Sequence, residues 1–517
     1  MSAGALRRGD YAVIGACVLL FAAMSLPLAG SMIDDTYIHL QYARNLAGDG
    51  QLAFNRGDPS YGATSPLWVG ILAVLLRAGL DATLWCRILS WLSGAAVIAL
   101  LYRFVLRLGG RRGPAAAAAA IAACEAWLLR WSATGMETSL AALVVLLCLC
   151  ASLDADSGRR GAVRFGLLLM LAALARPEAM LLAPLAAVSF ALAGAPSPWR
   201  RRFAWAAVFL PLLVAWLFLI ERHTGTLLPL TAGAKQGRVL FGAPMLRAAL
   251  VPLKIVGATA LLPAAAALAF LAAGTLRGRR LTAVSGRCFP GGVLLSVLWT
   301  VAVPAVYVVF DFHVLSRYLV PVIPAIVAVG TVAAARLIEL AAQRRMRLLL
   351  AVFAAAACLQ SAVFYAAVVV GPTREFTRGL DRVLVPMGRF LAERTPEEAV
   401  VATPDIGAIG WFSRRAVLDL GGLVTPRINE MRRLIDVQRI IDDGLYLDMH
   451  PTHLVDRHAE RERLAGRPIR GVRFAPLMSG TVQTLGIRQH SPVTYTLYRL
   501  VYPDTLEPPL EGAGSIR

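Results

Sequence analysis

The chain has 517 residues, 57% of them hydrophobic and 16% charged, with a mean hydropathy of +0.63; this composition excludes an ordinary soluble globular protein. The formal net charge is +20, but the basic residues are nearly all Arg, with only Lys235 and Lys254 as lysines, and they fall in short clusters between apolar runs. No basic domain with interleaved aromatics is present, so a nucleic-acid partner is excluded.

In chain order, Arg7 and Arg8 precede an apolar run from about 11 to 30. It is longer than the 7–15 residues of a signal-peptide core, so it reads as a retained first span with a cytoplasmic N-terminus. Further spans are expected at roughly 84–106, 114–130, 138–153, 163–175, 177–195, 203–220, 255–275, 290–310, 317–336 and 348–370, which makes about eleven transmembrane helices. The basic clusters Arg103/Arg107/Arg111/Arg112, Arg159/Arg160/Arg164, Arg200/Arg201/Arg202, Arg277/Arg279/Arg280/Arg287 and Arg344/Arg345/Arg347 all fall on the side of Arg7 and Arg8. That phase marks cytoplasmic loops and puts the C-terminus outside. Cys148 and Cys150, two apart in an apolar run, have the wrong spacing for zinc. The seven cysteines read as small buried hydrophobes.

The first outward loop, about 31–83, opens with "IDDTYIHLQYARNL". Ile38, Tyr42 and Leu46 recur at four-residue spacing, which predicts a helix on the outer membrane surface with an apolar stripe downward. Asp34 and Asp35 in its first turn suit the helix dipole. As an alternative to that capping role, a carboxylate here can accept a hydroxyl proton as a general base. The turn-rich Gly57–Gly62 follows, and 65–80 reads as a half-buried or interfacial helix. Later outward loops carry Glu137, Arg176 with Glu178, Arg222, Lys235, Arg238, and His313 with Arg317. Topology does not require these outward cations, so each asks for a partner. Together they suit a phosphate leaving group whose developing charge they would stabilise; lipid headgroups or local ion pairs are the alternatives. His39 and His313 read as hydrogen-bonded scaffold rather than metal ligands, and Glu137 either orients a substrate hydroxyl or caps a helix. No phosphate-cradling loop, dinucleotide fingerprint or serine triad is present.

After about 370 the composition becomes mixed. Glu398–Thr403, Ala416–Leu420 and the alternating Val493–Tyr498 read as strands, predicting a C-terminal α/β extracytoplasmic domain over 371–517, about 145 residues and large enough for its own core. The transmembrane portion, 1–370, is the expected catalytic domain.

The stretch "DDTYIHLQYARNLAGDGQLAFNRGDPSYGATSPLW", with "ATGMETSLAALVVLL", "ARPEAMLLAPL", "TGTLLPLTAGAKQGR", "SRYLVPVIPA" and "TPDIGAIGWFSRRAVLDLGGLV", resembles the GT-C class of integral-membrane glycosyltransferases. These take sugars from polyprenyl phosphates and carry an acidic pair in the first outer loop. The look is nearest to terminal arabinofuranosyltransferases, protein O-mannosyltransferases and lipid A aminoarabinose transferases. The resemblance implies a GT-C fold and an inverting hexosyl or pentosyl transfer at the outer face of a bacterial inner membrane. Its partners are a polyprenyl-phosphate-linked sugar donor and a glycan, glycolipid or protein acceptor. It implies Asp34 as base with Asp35 supporting it. The accompanying candidates for substrate and phosphate binding are Arg44, Glu137, Arg176, Glu178, Arg222, Lys235, Arg238, His313, Arg317 and Asp405. With a lipid monophosphate donor, no cofactor or obligatory metal is expected. "YGATSPLW" departs from the Tyr-Thr-Asn-type sequence of relatives, which leaves the sugar open, and the domain after about 425 leaves the acceptor open. The competing reading is a transporter or flippase for lipid-linked sugars, which calls for charged or broken helices at the midplane and two-fold repeats; the non-cytoplasmic charges instead gather at one rim and no repeat is evident.

Overall fold

In this computed structural model, the described residues are 6–109, 111–193, 198–230, 242–276, 291–487, 489 and 491–503. Among them, seven helices are long and apolar enough to cross a membrane: Arg8–Leu28, Ala82–Arg107, Trp199–Thr224, Ala243–Ala273, Gly291–Val309, Ile323–Ala341 and Met346–Arg394. The other expected spans carry shorter helices. Thr138–Ser152 has 15 residues and Arg159–Ala175 has 17, while Pro177–Leu192 is a shorter apolar helix.

The expected span 114–130 is two helices, Arg112–Ala123 and Ala126–Ala133. The Glu125 carboxylate accepts the Leu128 amide at 2.5 Å and so caps a new helix in the middle of the apolar run. Ser361 takes the first amide of that helix, from Ala126, at 2.9 Å. A polar residue placed for capping therefore divides a run that hydropathy alone reads as continuous.

The chain forms two compact units. Unit one is Met1–Gly30, Arg87–Trp216 and Gly237–Val370, and it is helical. Close crossing of two of its helices, Ala243–Leu276 and Ile323–Ala342, depends on Gly330. A Cβ there would lie 2.1 Å from the Pro263 carbonyl oxygen.

Unit two is Ser31–Cys86, Leu217–Gln236 and Gly371–Arg517. It holds the Asp34–Asp49 and Pro66–Arg77 helices and a small antiparallel ribbon of β1 (Ala53–Asn55) and β2 (Asp58–Pro59). Its main sheet has β3 (Val400–Thr403), β4 (Ala416–Asp419), β5 (His453–His458), β6 (Arg473–Val482) and β7 (Val493–Val501) in the order β4-β3-β5-β7-β6. β3 runs parallel to β4 and β5, with Val401 opposite Val417 and His453, and β7 is antiparallel to β5 and β6. The parallel pairs need helical crossovers. Gly407–Ser413 joins β3 to β4, and Pro426–Arg432 with Val437–Asp442 lies between β4 and β5. The apolar faces of the latter two helices meet the sheet in a core of Ala402, Leu418, Ile428, Ile440, Leu454 and Tyr498.

β3, β4 and β7 fall where the sequence predicts strands; β5 and β6 are additional. β5 carries Asp456 and Arg457 within its six residues, while β6 is an edge strand with Pro476 and a register shift between Pro476 and Met478. The Asp34–Asp49 helix also differs from expectation. It is buried along most of its length rather than open on a polar face, because Gln41 and Asn45 turn inward to the Phe54 carbonyl at 3.0 and 2.8 Å.

Arg463 anchors the C-terminal domain, donating to Asp456 at 2.7 Å and to Asp442 at 2.5 Å. Arg463→Ala leaves Asp456 buried and unpaired, so thermal or denaturant unfolding of the purified protein should show a loss on the order of 3–5 kcal/mol.

Candidate active site

Asp34 opens its helix, yet its carboxylate does not cap that helix, whose N-cap is Ile33 without a side-chain bond. Instead, Oδ2 accepts the Gly407 amide at 2.9 Å and Oδ1 the Ala408 amide at 2.8 Å, 373 and 374 residues away. The approach requires glycine, since a Cβ on residue 407 would lie 2.0 Å from the Asp34 carbonyl oxygen and 2.8 Å from its Cγ. Burial, then the charge of Asp405, push the Asp34 carboxyl up; the two amides oppose this, Asp35 adds a smaller upward push, and the result is about 7.

Asp405 lies two residues ahead of Gly407 and is gripped by the domain. Arg457 Nη1 donates to both of its oxygens at 3.0 Å, and the Tyr495 hydroxyl donates to Oδ2 at 2.8 Å. Asp405 holds the Arg457 guanidinium above its ordinary value. Burial first, and then Asp405, raise the Tyr495 phenol. Arg44 also reaches this region: its guanidinium stacks 3.9 Å from the Trp411 ring and donates to the Trp411 carbonyl at 2.7 Å. Asp419, at the end of β4, accepts the amides of Gly421, Leu423 and Val424. Burial raises it to about 6 against those bonds.

Unit one holds a second polar cluster. Arg176, 3% exposed, donates at 2.6 Å to Glu137 and at 2.6 Å to Glu178, and lies 5.1 Å from the Tyr318 ring. Arg317, 7% exposed, faces the same ring at 5.3 Å and the Trp131 ring at 5.8 Å. Trp131 is fixed by its indole N–H to Ser316 at 3.0 Å. On Trp131 also stacks Arg130, at 4.6 Å and 8% exposed. Its Nε has no hydrogen-bond partner, and no carboxylate pairs with it among the described residues. Both glutamates are taken by Arg176, and the Arg130 guanidinium, without a carboxylate among the described residues, calls for an anion in its apolar surrounding.

Of the expected site residues, unit two brings Asp34, Arg44 and Asp405 to the Gly407–Ser413 helix, with Asp35 next in the chain. Unit one gathers Glu137, Arg176, Glu178 and Arg317. Arg222 and His313 are exposed. Lys235 and Arg238 lie outside the described residues. Arg176 is neutralised by two acids rather than an isolated cation, and Asp405 is an ion-paired acid within unit two. Sequence reasoning missed Arg130, Arg457 and Tyr495. Arg130 was detectable as a charge at the end of an expected span; the other two sit on strands with no motif around them.

Residues 375–498 match a family described as a domain of unknown function, DUF8728. Comparison with curated sequences gives no match. Similar solved structures include ArnT from Cupriavidus metallidurans bound to undecaprenyl phosphate, at 17% identity over 95% of this chain and 98% of that chain with a TM-score of 0.58. The apo oligosaccharyltransferase of Archaeoglobus fulgidus matches at 13% identity over 86% and 69%, with a TM-score of 0.56. The arabinofuranosyltransferase AftD from Mycobacteria matches at 18% identity over 96% of this chain and 42% of that chain, with a TM-score of 0.54. The chain is a multi-pass membrane protein with the GT-C fold, carrying a C-terminal region built around a sheet.

Gly407→Ala should lower the unfolding midpoint by displacing the Asp34 carboxylate from both amides, a loss on the order of 1–3 kcal/mol. Gly48→Ala, on the Asp34 helix with nothing within 4 Å of the added methyl, is the control and should leave the midpoint unchanged or raise it slightly in the same thermal scan.

Proposed function

We propose that the protein is an inverting glycosyltransferase that moves a sugar from a polyprenyl-phosphate donor to a hydroxyl of an envelope glycan, glycolipid or protein. Asp34 is the base. The acceptor oxygen attacks the anomeric carbon, the bond from that carbon to the phosphate oxygen breaks, and the hydroxyl proton passes to Asp34 as polyprenyl phosphate departs. The observation that carries this reading is the Asp34 carboxyl itself. It follows the first span, is held by two amides, and titrates near neutrality, where a base is most effective. Each of its oxygens gives one lone pair to an amide and retains another for the acceptor hydroxyl.

Unit one, taken by itself, offers a candidate anion-binding cluster of buried arginines. Arg130, with no carboxylate partner among the described residues, and Arg317, which also faces the Trp131 ring, supply guanidinium donors matched to phosphate oxygens. Arg176, held between Glu137 and Glu178, has the quieter task of fixing the cluster. The likeness to ArnT, solved with undecaprenyl phosphate, supports a lipid-phosphate donor. The arginine clusters between apolar runs support a cytoplasmic N-terminus and residues 371–517 as an extracytoplasmic domain, and the likeness to ArnT supports a bacterial inner membrane as the location.

The test is transfer of radiolabelled pentose or hexose from polyprenyl phosphate in membranes containing the protein. Asp34→Asn should reduce transfer by about 10²–10⁴-fold at unchanged protein level; full activity in that variant would remove the assignment of the base. Since only ionised Asp34 accepts a proton, kcat/KM should rise with pH and level off above about 7. Arg130→Gln should raise KM for the donor by about tenfold or more, the loss of one charge-assisted contact, measured by varying donor concentration at fixed acceptor.

A further inference from the structure

The proposed base is oriented by groups that lie 370 and more residues beyond it, and of these Asp405, Arg457 and Tyr495 have no part in the reaction as described above. The loop between β3 and the Gly407–Ser413 helix supplies the two amides that hold Asp34. The same loop carries Asp405, whose carboxylate is spread across Arg457 of β5 and Tyr495 of β7. Two carboxylates are therefore fixed around one helix start, the first with amide donors and the second with a cation and a phenol. We propose that Asp405, together with Arg457 and Tyr495, is the positioning group for Asp34, setting its charge state and orientation from within the C-terminal domain. The catalytic consequence rests on the reading of Asp34 as base; the physical coupling does not.

The chemistry follows from the asymmetry of the two acids. Arg457 Nη1 donates to both oxygens of Asp405. The charge of Asp405 then bears on Asp34, whose own partners are neutral amides. A negative charge nearby favours the protonated form of Asp34, while the amides favour the ionised form. Around Asp34 the other charged or titratable groups are Asp35 on its own helix and Tyr495 on β7. The other cations of the packed elements are committed elsewhere: Arg44 lies on Trp411, and Arg77 of the Pro66–Arg77 helix donates to the Ala47 carbonyl at the far end of the Asp34 helix. Asp405 is therefore the strongest charge acting on the base, and Arg457 decides how much of it is felt. The glycine requirement at 407 enforces the arrangement, because any larger residue would separate the two acids' supports.

The coupling is measurable without substrate. In the full-length protein in detergent, the carbonyl stretch of protonated Asp34 is followed by difference infrared spectroscopy against pH, with Asp34→Asn identifying the band. The wild-type band should disappear with a midpoint near neutrality. In Asp405→Asn the midpoint should move down by about one pH unit, because the opposing charge is lost and Arg457 is released. Asp405→Glu should restore it towards the wild-type value, and Arg457→Met should move it up. Opposite shifts from the two partners of one ion pair are not produced by loosened packing. A midpoint unchanged in Asp405→Asn, or an Asp34 band absent throughout the range, overturns the proposal. Should Arg457→Met fail to fold, the Asn and Glu variants at 405 decide the matter alone. With activity in hand, the rising limb of the rate profile should follow the infrared midpoint. A midpoint that moves while Asp34→Asn retains transfer overturns the base assignment and leaves the coupling standing. A midpoint that stays fixed while Asp34→Asn abolishes transfer overturns the coupling alone.

Discussion

The contact on which unit two depends is the fork between the Asp34 carboxylate and the amides of Gly407 and Ala408. It joins the segment that follows the first apolar helix to the C-terminal domain, and other bonds work in parallel with it. Asn55 of β1 exchanges two hydrogen bonds with the Val417 backbone, both at 2.9 Å, acting as an extra backbone partner at the free edge of β4. Thr377 donates to the Met32 carbonyl at 3.0 Å. Leu230 donates to the Tyr61 carbonyl at 2.8 Å, while Asn429 reaches the Leu230 carbonyl at 3.0 Å. Three distant pieces of chain thus become one body through polar bonds to backbone groups. Such bonds fix geometry more sharply than apolar contact, because a donor or acceptor left unmade in a buried place is expensive.

Unit one is governed by a different constraint, the scarcity of places for charge in an apolar helical body. Arg176 resolves it with two carboxylates, both at 2.6 Å. Arg130 resolves it only in part, with an aromatic face at 4.6 Å. A cation over an indole ring gains roughly 1–2 kcal/mol, well short of the several kcal/mol per ion that burial takes away. The imbalance is specific to Arg130, which makes it the residue of this cluster most in need of an anion. A neighbouring guanidinium, Arg317 at 5.8 Å from the same ring, increases that need.

Much of this was legible in the amino-acid order. Apolar runs located the helices, the Asp34-Asp35 pair stood out after the first of them, and β3, β4 and β7 carried ordinary strand patterns. The failures share one physical cause, which is that side chains were judged by class and not by the bonds available to them. Glu125 sits in an apolar run but captures a backbone amide and so divides a helix. Gln41 and Asn45, which look solvent-facing on a helical wheel, turn inward to a carbonyl of β1. Asp405 was visible as an acid in "TPDIGAIGW", but nothing local reveals that Arg457 and Tyr495 enclose it, since those contacts close over 52 and 90 residues. Arg130 was visible as a charge at the end of a predicted span, but its burial beside Trp131 closes only in the folded helices.

The arrangement around Asp34 has a further thermodynamic consequence. Its carboxyl sits near 7 in the folded protein against about 3.9 in an unfolded chain. Between those values the folded state holds a proton that the unfolded state has already released, so this group's contribution to stability is fully present at low pH and is lost as pH rises towards 7. The two amide bonds reduce that loss without cancelling it, because burial and the charge of Asp405 act in the opposite direction. A carboxylate used only to fasten two chain segments would be best served by amides and an adjacent cation, a combination that holds its pKa low. Here the cation, Arg457, is spent on Asp405 instead, and a second negative charge is placed beside the fastener. The structure keeps an acid costly to ionise at the point where its segments are joined, which is understandable if a proton must be taken up and released there, and is otherwise a needless strain on the fold.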